Sequence, residues 1–399
     1  MWFLALARHL RFDIDCKSDI DCKSLVHLRS ESVGPFGGPS SCLARTVVIQ
    51  RSAEKRVTIA FVPREQFATT QRCLELLIAR TSEPYELIVV DGGAPPDLQQ
   101  YLQTAALQHG FTLLRSEEYL TPNQARNLVL PYVQTSYVTF VDNDVLVSEG
   151  WLTALVDCAD RTGAWVVGPL YFEFEPERRR IHMFGGEVGI QADSRGRMTF
   201  VEKHLFAHAL MRDVEIEFQA QPTELIEFHT VLIRMEAFER IGCLDEGFQS
   251  TAEHVDLCLA VRQAGGGIWV EPAAQITYAP PKSLRGDDRK FFLLRWSEAR
   301  GHATLRHMIA KYQLHPRSRG VRLAARWLAG HRRYSLAWLP RWKRVLGAPL
   351  GSRFEKSVVT PLEKLWNRWR YPPSRYGQLP TSQVSKVGPA DRTQRRHAA

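Results

Sequence analysis

The stretch Ser136-Tyr-Val-Thr-Phe-Val-Asp-Asn-Asp-Val145 decides how this chain is read. It opens as an apolar run rich in β-branched and aromatic residues, the composition of a strand. It closes on two aspartates one residue apart, Asp142 and Asp144. Turns after strands favour Asp and Asn, so the pair alone is compatible with a solvated turn. It also suits a hard divalent cation, because Mg2+ and Mn2+ take oxygen ligands. Position in the fold separates the two readings.

Upstream lie three more short apolar runs, Val57-Thr-Ile-Ala-Phe-Val62, Glu86-Leu-Ile-Val-Val-Asp91 and Phe111-Thr-Leu-Leu114. Amphipathic stretches at 68–80, 96–109 and 122–133 separate them and predict helices. Strands alternating with helices predict an α/β fold with a parallel sheet covered on both faces. Ligands of such sheets bind beyond the carboxyl ends of the strands. Pro63, Asp91 and Asp142 all fall at those ends. Downstream, the pattern predicts a helix after Trp151, a strand at 164–168, strands and loops over 169–230, helices at about 234–241 and 251–264, and a strand at 268–272.

A second ionisable cluster stands in Ser250-Thr-Ala-Glu-His-Val-Asp-Leu257, at the start of a predicted helix. The spacing fits a capping box, with Ser250 as N-cap and Glu253 reaching back to it. A helix start can also aim Glu253, His254 and Asp256 into a cleft. His254 has an unperturbed pKa suited to proton transfer near neutrality.

Seven cysteines, an odd number with no C-x-x-C pair, argue against a disulfide framework or a structural zinc site and predict a reducing, cytoplasmic setting. No stretch is apolar for the length of a bilayer span. The net charge of +9 conceals an asymmetry. Residues 282–399 hold 27 Lys+Arg against 6 Asp+Glu, while the remainder holds 25 against 37. The chain divides accordingly: a disordered leader over 1–55 with the tandem Asp-Ile-Asp-Cys-Lys-Ser, an α/β domain over 56–281, a basic helical extension over 282–371, and a disordered tail over 372–399. A helix is expected over 288–311. Trp and Leu interleave with Arg at 321–328, 334–346 and 362–369, a pattern suited to an anionic membrane surface. On this reading the core folds without anything beyond about residue 315.

Residues 57–280 resemble a family-2 glycosyltransferase with the GT-A nucleotide-sugar fold. The resemblance rests on Val62-Pro63, Val89-Val-Asp-Gly-Gly93, Ala125-Arg-Asn127, Val141-Asp-Asn-Asp144, Leu232-Ile-Arg234 with Ala237-Phe238, Leu244-Asp-Glu-Gly-Phe248, Glu253-His-Val-Asp-Leu257 and Glu271-Pro272, in the family's order. It implies inverting transfer from a nucleotide-diphospho-sugar to a glycan or lipid-linked acceptor, with Mn2+ or Mg2+ as cofactor and no nucleic-acid partner. It implies that Asp91 contacts the nucleobase, Pro63 lines the base pocket and Arg126 lies near the donor phosphates. Asp144 becomes a metal ligand, and Asp142 faces the ribose or the metal.

Two departures from the family pattern matter. His254 stands where relatives carry the aspartate base, so His254, Glu253 and Asp256 all remain candidates. Tyr278 stands where many relatives place a histidine ligand, which leaves His229 as a candidate third ligand and His182 as a possible sugar contact. Two alternatives remain open: a binding protein that has lost catalysis at His254, and a sugar nucleotidyltransferase. The chain lacks the glycine-rich phosphate loop expected of the latter.

Overall fold

The computed structural model describes residues 55–280, 284–377 and 384–387. The leader expected over 1–55 lies almost wholly outside the described residues, and Cys16, Cys22 and Cys42 lie outside them with it. Cys73, Cys158, Cys243 and Cys258 are free thiols.

The first half follows the predicted alternation. Strand β1 (Val57–Val62) leads to α1 (Thr70–Ala79), β2 (Tyr85–Gly92), α2 (Pro96–His109), β3 (Thr112–Ser116), α3 (Pro122–Asn127) and β4 (Tyr137–Asp142). Every residue of β1 and β4 is buried, which explains their unbroken apolar runs. Helix α3 is shorter than the predicted 122–133. Pro131 cannot donate a helical hydrogen bond, and the chain turns through a 3-10 segment at Leu130–Tyr132 instead.

The second half adds β5 (Val145–Val147), α4 (Trp151–Thr162), β6 (Val166–Glu173), β7 (Arg180–Met183), the hairpin of β8 (Gly186–Ala192) and β9 (Met198–His204), β10 (Gln221–Pro222), β11 (Thr230–Arg234), α5 (Met235–Ile241), α6 (Glu253–Gln263) and β12 (Ile268–Tyr278). The 11-stranded sheet runs β10-β12-β6-β11-β4-β1-β2-β3, with one more strand beyond β3. It is mixed, where a parallel sheet was expected. β4, β1, β2 and β3 are parallel neighbours, but β11 enters antiparallel between β4 and β6. β12 runs past the predicted end at Pro272, because a register shift between Glu271 and Gln275 accommodates the missing proline donor.

The basic region is helical and packed. It comprises α7 (Gly286–Arg295), α8 (Glu298–Lys311), α9 (Arg319–Arg332), α10 (Leu339–Leu346), α11 (Ala348–Phe354), α12 (Thr360–Arg370) and α13 (Pro373–Tyr376). The single helix expected over 288–311 is two. Ser297 is extended and caps α8, its hydroxyl accepting from the Arg300 amide at 3.3 Å. Met308, Leu314 and Val321 join the main core, so a cut at residue 315, expected to spare the core, passes through packed structure. Gly320 shows how close the approach is: a Cβ there would meet the Phe200 carbonyl at 2.3 Å. The tail expected to be disordered from 372 contributes α13 and β13 (Val384–Val387), which pairs with β3. β3 would otherwise be an edge with free backbone groups.

Candidate active site

The carboxyl ends of β1 and β4 face a cleft of about 1310 Å3. Helices α7 and α9 form its far wall, contributing Arg295, Trp327 and His331, with Trp296 just after α7.

The acidic turn is held from inside by its middle residue. Asn143 accepts from the Arg64 amide at 2.9 Å and donates to the Gln66 carbonyl at 2.7 Å and to Thr70 Oγ1 at 2.8 Å. Its own amide reaches the Val62 carbonyl. The two aspartates then sit together in a buried site. Asp142 pairs with Arg126 at 3.1 Å, with Arg64 at 3.6 Å and with His229 Nδ1 at 3.7 Å. Asp144 is fully buried, and neither carboxylate oxygen has a hydrogen-bond partner. Burial above all, with Asp142 and Glu65 nearby, pushes its pKa well above the usual carboxylate range despite Arg64. Such a group is costly unless something neutralises it.

Ligand atoms of Asp142, Asp144 and His229 lie within 4.8 Å of one another. Burial and the Arg64 guanidinium against its ring push the His229 pKa well below the ordinary value, so the imidazole is neutral, as a metal ligand must be. Its Nε2 faces Glu227 at 2.9 Å, the carboxylate support typical of ligating histidines. These residues fit a divalent cation. Tyr278 is close by, its ring tilted against His229 at 4.2 Å between centroids, but its hydroxyl donates to Glu65 at 2.8 Å.

Other predicted residues separate. Arg126 is buried beside the acids, packed 3.9 Å over the Phe228 ring. Asp91 instead caps its own turn, accepting from the Ala94 amide at 2.8 Å and pairing with Arg115. Pro63 packs against Gly92, where a Cβ would lie 2.9 Å from the proline ring. Neither Asp91 nor Pro63 lines the cleft.

The capping box expected at Ser250 does not form. Helix α6 starts after Ala252, whose φ is +65°, and no side chain caps it. Glu253 instead pairs with Arg295 at 3.0 Å and Arg126 at 4.0 Å, and its Oε2 is buried without a partner. His254 is bound to Glu202 at 3.0 Å; burial opposes its charge, but Glu202 pushes the pKa up to about 9. An imidazole protonated at neutral pH is not poised as a base. Asp256 turns away from the cleft toward Tyr312 and Lys311, each at 2.6 Å. His182 lines the cleft between Glu173 and Glu227.

The sequence reading missed Arg64, Glu65, Glu227 and Arg295. Glu65 is fully buried, accepting from Tyr278 and from the Trp296 indole at 2.9 Å. Arg295 donates to the Arg64 carbonyl at 2.8 Å. Arg64 and Glu65 directly follow Pro63, a position that was available as a signal. Arg295 gave none, because it lay in the stretch assigned to the extension.

Fold and site together define an α/β domain with a buried acidic centre at a cleft lined by both signs of charge. Residues 61–241 match the sequence model of glycosyl transferase family 2. Over 148 residues, 34% of this chain, it is 27% identical to a Drosophila melanogaster protein named "Putative polypeptide N-acetylgalactosaminyltransferase 13". The match spans about a quarter of that relative, 26% of its length. Among solved structures, GalNAc-T7 with UDP, GalNAc and Mn2+ is 16% identical, with a TM-score of 0.45, over 71% of this chain and 58% of that one. The mannosyltransferase PcManGT from Pyrobaculum calidifontis, in complex with GDP-Man and Mn2+, is 16% identical, with a TM-score of 0.43, over 79% and 84%.

Proposed function

We propose that this chain transfers a sugar from a nucleotide-diphospho-sugar to a hydroxyl of a glycan or lipid-linked acceptor, with inversion. The observation that carries the reading is the Asp144 carboxylate, buried and without partners, in reach of Asp142 and His229. These three would hold Mn2+ or Mg2+, which supplies Lewis-acid stabilisation of a diphosphate leaving group. Arg64, Arg126 and Arg295 line the same cleft, and each has a buried Nε without a partner. Three guanidinium groups with spare donors suit phosphate oxygens. Glu253 is the base on this reading: the acceptor oxygen attacks the anomeric carbon, the bond to the diphosphate breaks, and the proton passes to Glu253 Oε2.

Asp144→Ala tests it. Transfer and donor hydrolysis should vanish, and donor affinity should fall far more with Mn2+ present than in EDTA. The thermal midpoint should hold or rise, because an unpaired buried carboxylate is removed. Wild-type rates in the variant, or in EDTA-treated protein, would overturn the metal role. Glu253→Gln should lower turnover by about 10²-fold or more with donor affinity little changed. A larger loss in His254→Ala would move the base there.

The reading extends to location at an anionic, cytoplasmic membrane face. No helix among the described residues is long and apolar enough to cross a membrane. Trp342, Val345, Leu362, Leu365, Trp366 and Trp369 are exposed among Arg341, Lys343, Arg344, Lys364, Arg368 and Arg370. Such helices lie in the interface, each basic residue adding about 1 kcal/mol near anionic lipid. Replacing Trp366 and Trp369 with Ser should reduce sedimentation with phosphatidylserine vesicles at low salt. Absence of vesicle binding by the intact chain would remove the membrane assignment and leave the transferase reading standing.

A further inference from the structure

A second set of ligand-type side chains converges beside the first centre, joined to it by the Glu227–His229 contact. Glu202 and His204 come from β9, Glu227 from the loop before β11, and His254 from the first turn of α6. Their ligand atoms all lie within 4.8 Å of one another. Glu202 and His204 are two residues apart on a strand, so both side chains leave by the same face. His204 Nε2 and His254 Nε2 each lie 3.0 Å from Glu202 Oε1, and His204 Nε2 lies 3.5 Å from Glu227 Oε1. Zinc bound by His and carboxylate at about 2.1 Å in a tetrahedron requires ligand atoms about 3.4 Å apart. These three separations bracket that spacing, and the remaining ones lie within 4.8 Å, before any metal is added.

The surroundings support a metal over an ordinary charge pair. Among the described residues, the side-chain partners of Glu202 and Glu227 are all imidazoles; neither carboxylate meets a Lys or Arg. Glu227 Oε2 is already fixed by His182 at 3.0 Å and His229 at 2.9 Å, leaving Oε1 for the cluster. Outer contacts that orient a ligand in this way are typical of metal centres. All four side chains line the cleft, so an ion has an entry path.

We propose that Glu202, His204, Glu227 and His254 form a second metal site, separate from the Asp142–Asp144 centre. Two imidazoles and two carboxylates suit a borderline cation of the Zn2+ class better than Mg2+, and binding would displace the proton that His254 shares with Glu202. An ion there ties the β8–β9 hairpin to the start of α6, directly beside Glu253. This inference is independent of whether the chain transfers a sugar.

The test uses the full chain carrying Asp144→Ala, which removes one of the three ligands of the first centre. The protein is stripped with chelator, loaded with Zn2+, passed through gel filtration and assayed for metal. Retention of one Zn2+ per chain is expected, and Co2+ in its place should give the visible absorption of a four-coordinate site. Adding Glu202→Gln or His204→Ala should weaken Zn2+ binding at least about tenfold. Should His204→Ala fail to fold, the near-isosteric Glu202→Gln and the Co2+ spectrum decide. Metal-free protein without a Co2+ band overturns the proposal and leaves the four residues as an ion-paired cluster. Zn2+ binding undiminished by Glu202→Gln overturns it equally.

Discussion

The sheet side of the cleft and its helical side hold their charged groups by different means. On the sheet side, the acidic turn hangs from the backbone ladder. The Asp142 amide donates to the His229 carbonyl at 3.0 Å, and β4 is paired along its length with β1 and β11. On the helical side, Arg295, Trp296 and His331 are placed by side chains alone. Arg332, fully buried, ties α9 to Glu363 of α12 at 2.9 Å, to the Trp296 carbonyl at 3.2 Å and to Glu298 of α8. The sheet side is therefore redundant, while the helical side turns on a few buried charges.

The comparison breaks most severely if the helical side is removed. Truncation after residue 315 deletes Val321, Leu328, His331 and Arg332, which are packed against the core, Trp296 or Glu298. The truncated chain should be insoluble or lack a cooperative unfolding transition. A soluble product with the intact midpoint and normal donor binding would show instead that the sheet side is a complete domain.

A narrower test keeps the whole chain. Arg332→Ala leaves Glu363 buried without its cation and Glu298 with only its more exposed partners His302 and Arg368. Breaking a buried pair in this way costs about 3–5 kcal/mol, measurable by urea unfolding. A loss under about 1 kcal/mol would mean that the helical side is as redundant as the sheet.

The smallest effect is a pH dependence. Burial disfavours the Glu298 charge, but His302 and Arg332 hold its pKa down to about 2. A depressed carboxyl stabilises the fold above its unfolded value, and that contribution is lost as pH falls through the folded value. Stability should therefore decline between about pH 4.5 and 2. Glu298→Gln should flatten this part of the profile; an unchanged slope would assign the acid sensitivity to other carboxylates.

The same contrast explains what could be read from the sequence. β1, β2 and β4 were legible because strands buried on both faces become continuous apolar runs, and Asp142 and Asp144 were legible because they end one of them. Antiparallel β11 was not read as a break in the parallel sheet, since Thr230-Val-Leu-Ile233 carries no mark of direction. The helical side was read as an extension because its composition is basic. Composition does not distinguish an arginine such as Arg332, which is buried between two glutamates, from one such as Arg370, which faces solvent. Asp256 was grouped with Glu253 by sequence proximity, but the helix carries it onto another face. His254 was read with its ordinary pKa because Glu202, which raises it, lies 52 residues away.

Asn143 has a consequence for how this site can change. The turn alternates two kinds of residue: the flanking aspartates offer ligand atoms, Asp142 on the cleft wall and Asp144 fully buried, and the amide between them holds the neighbouring loop. The backbone of the loop that carries Arg64 and Glu65 is fastened to that amide, while Asp142 meets only the Arg64 side chain. Shape and chemistry are thus written in different letters of the same three-residue word. The outer letters can be exchanged for other metal-binding or neutral side chains while the loop keeps its path. Changing the middle letter would shift the whole rim, although Asn143 itself does not line the cleft.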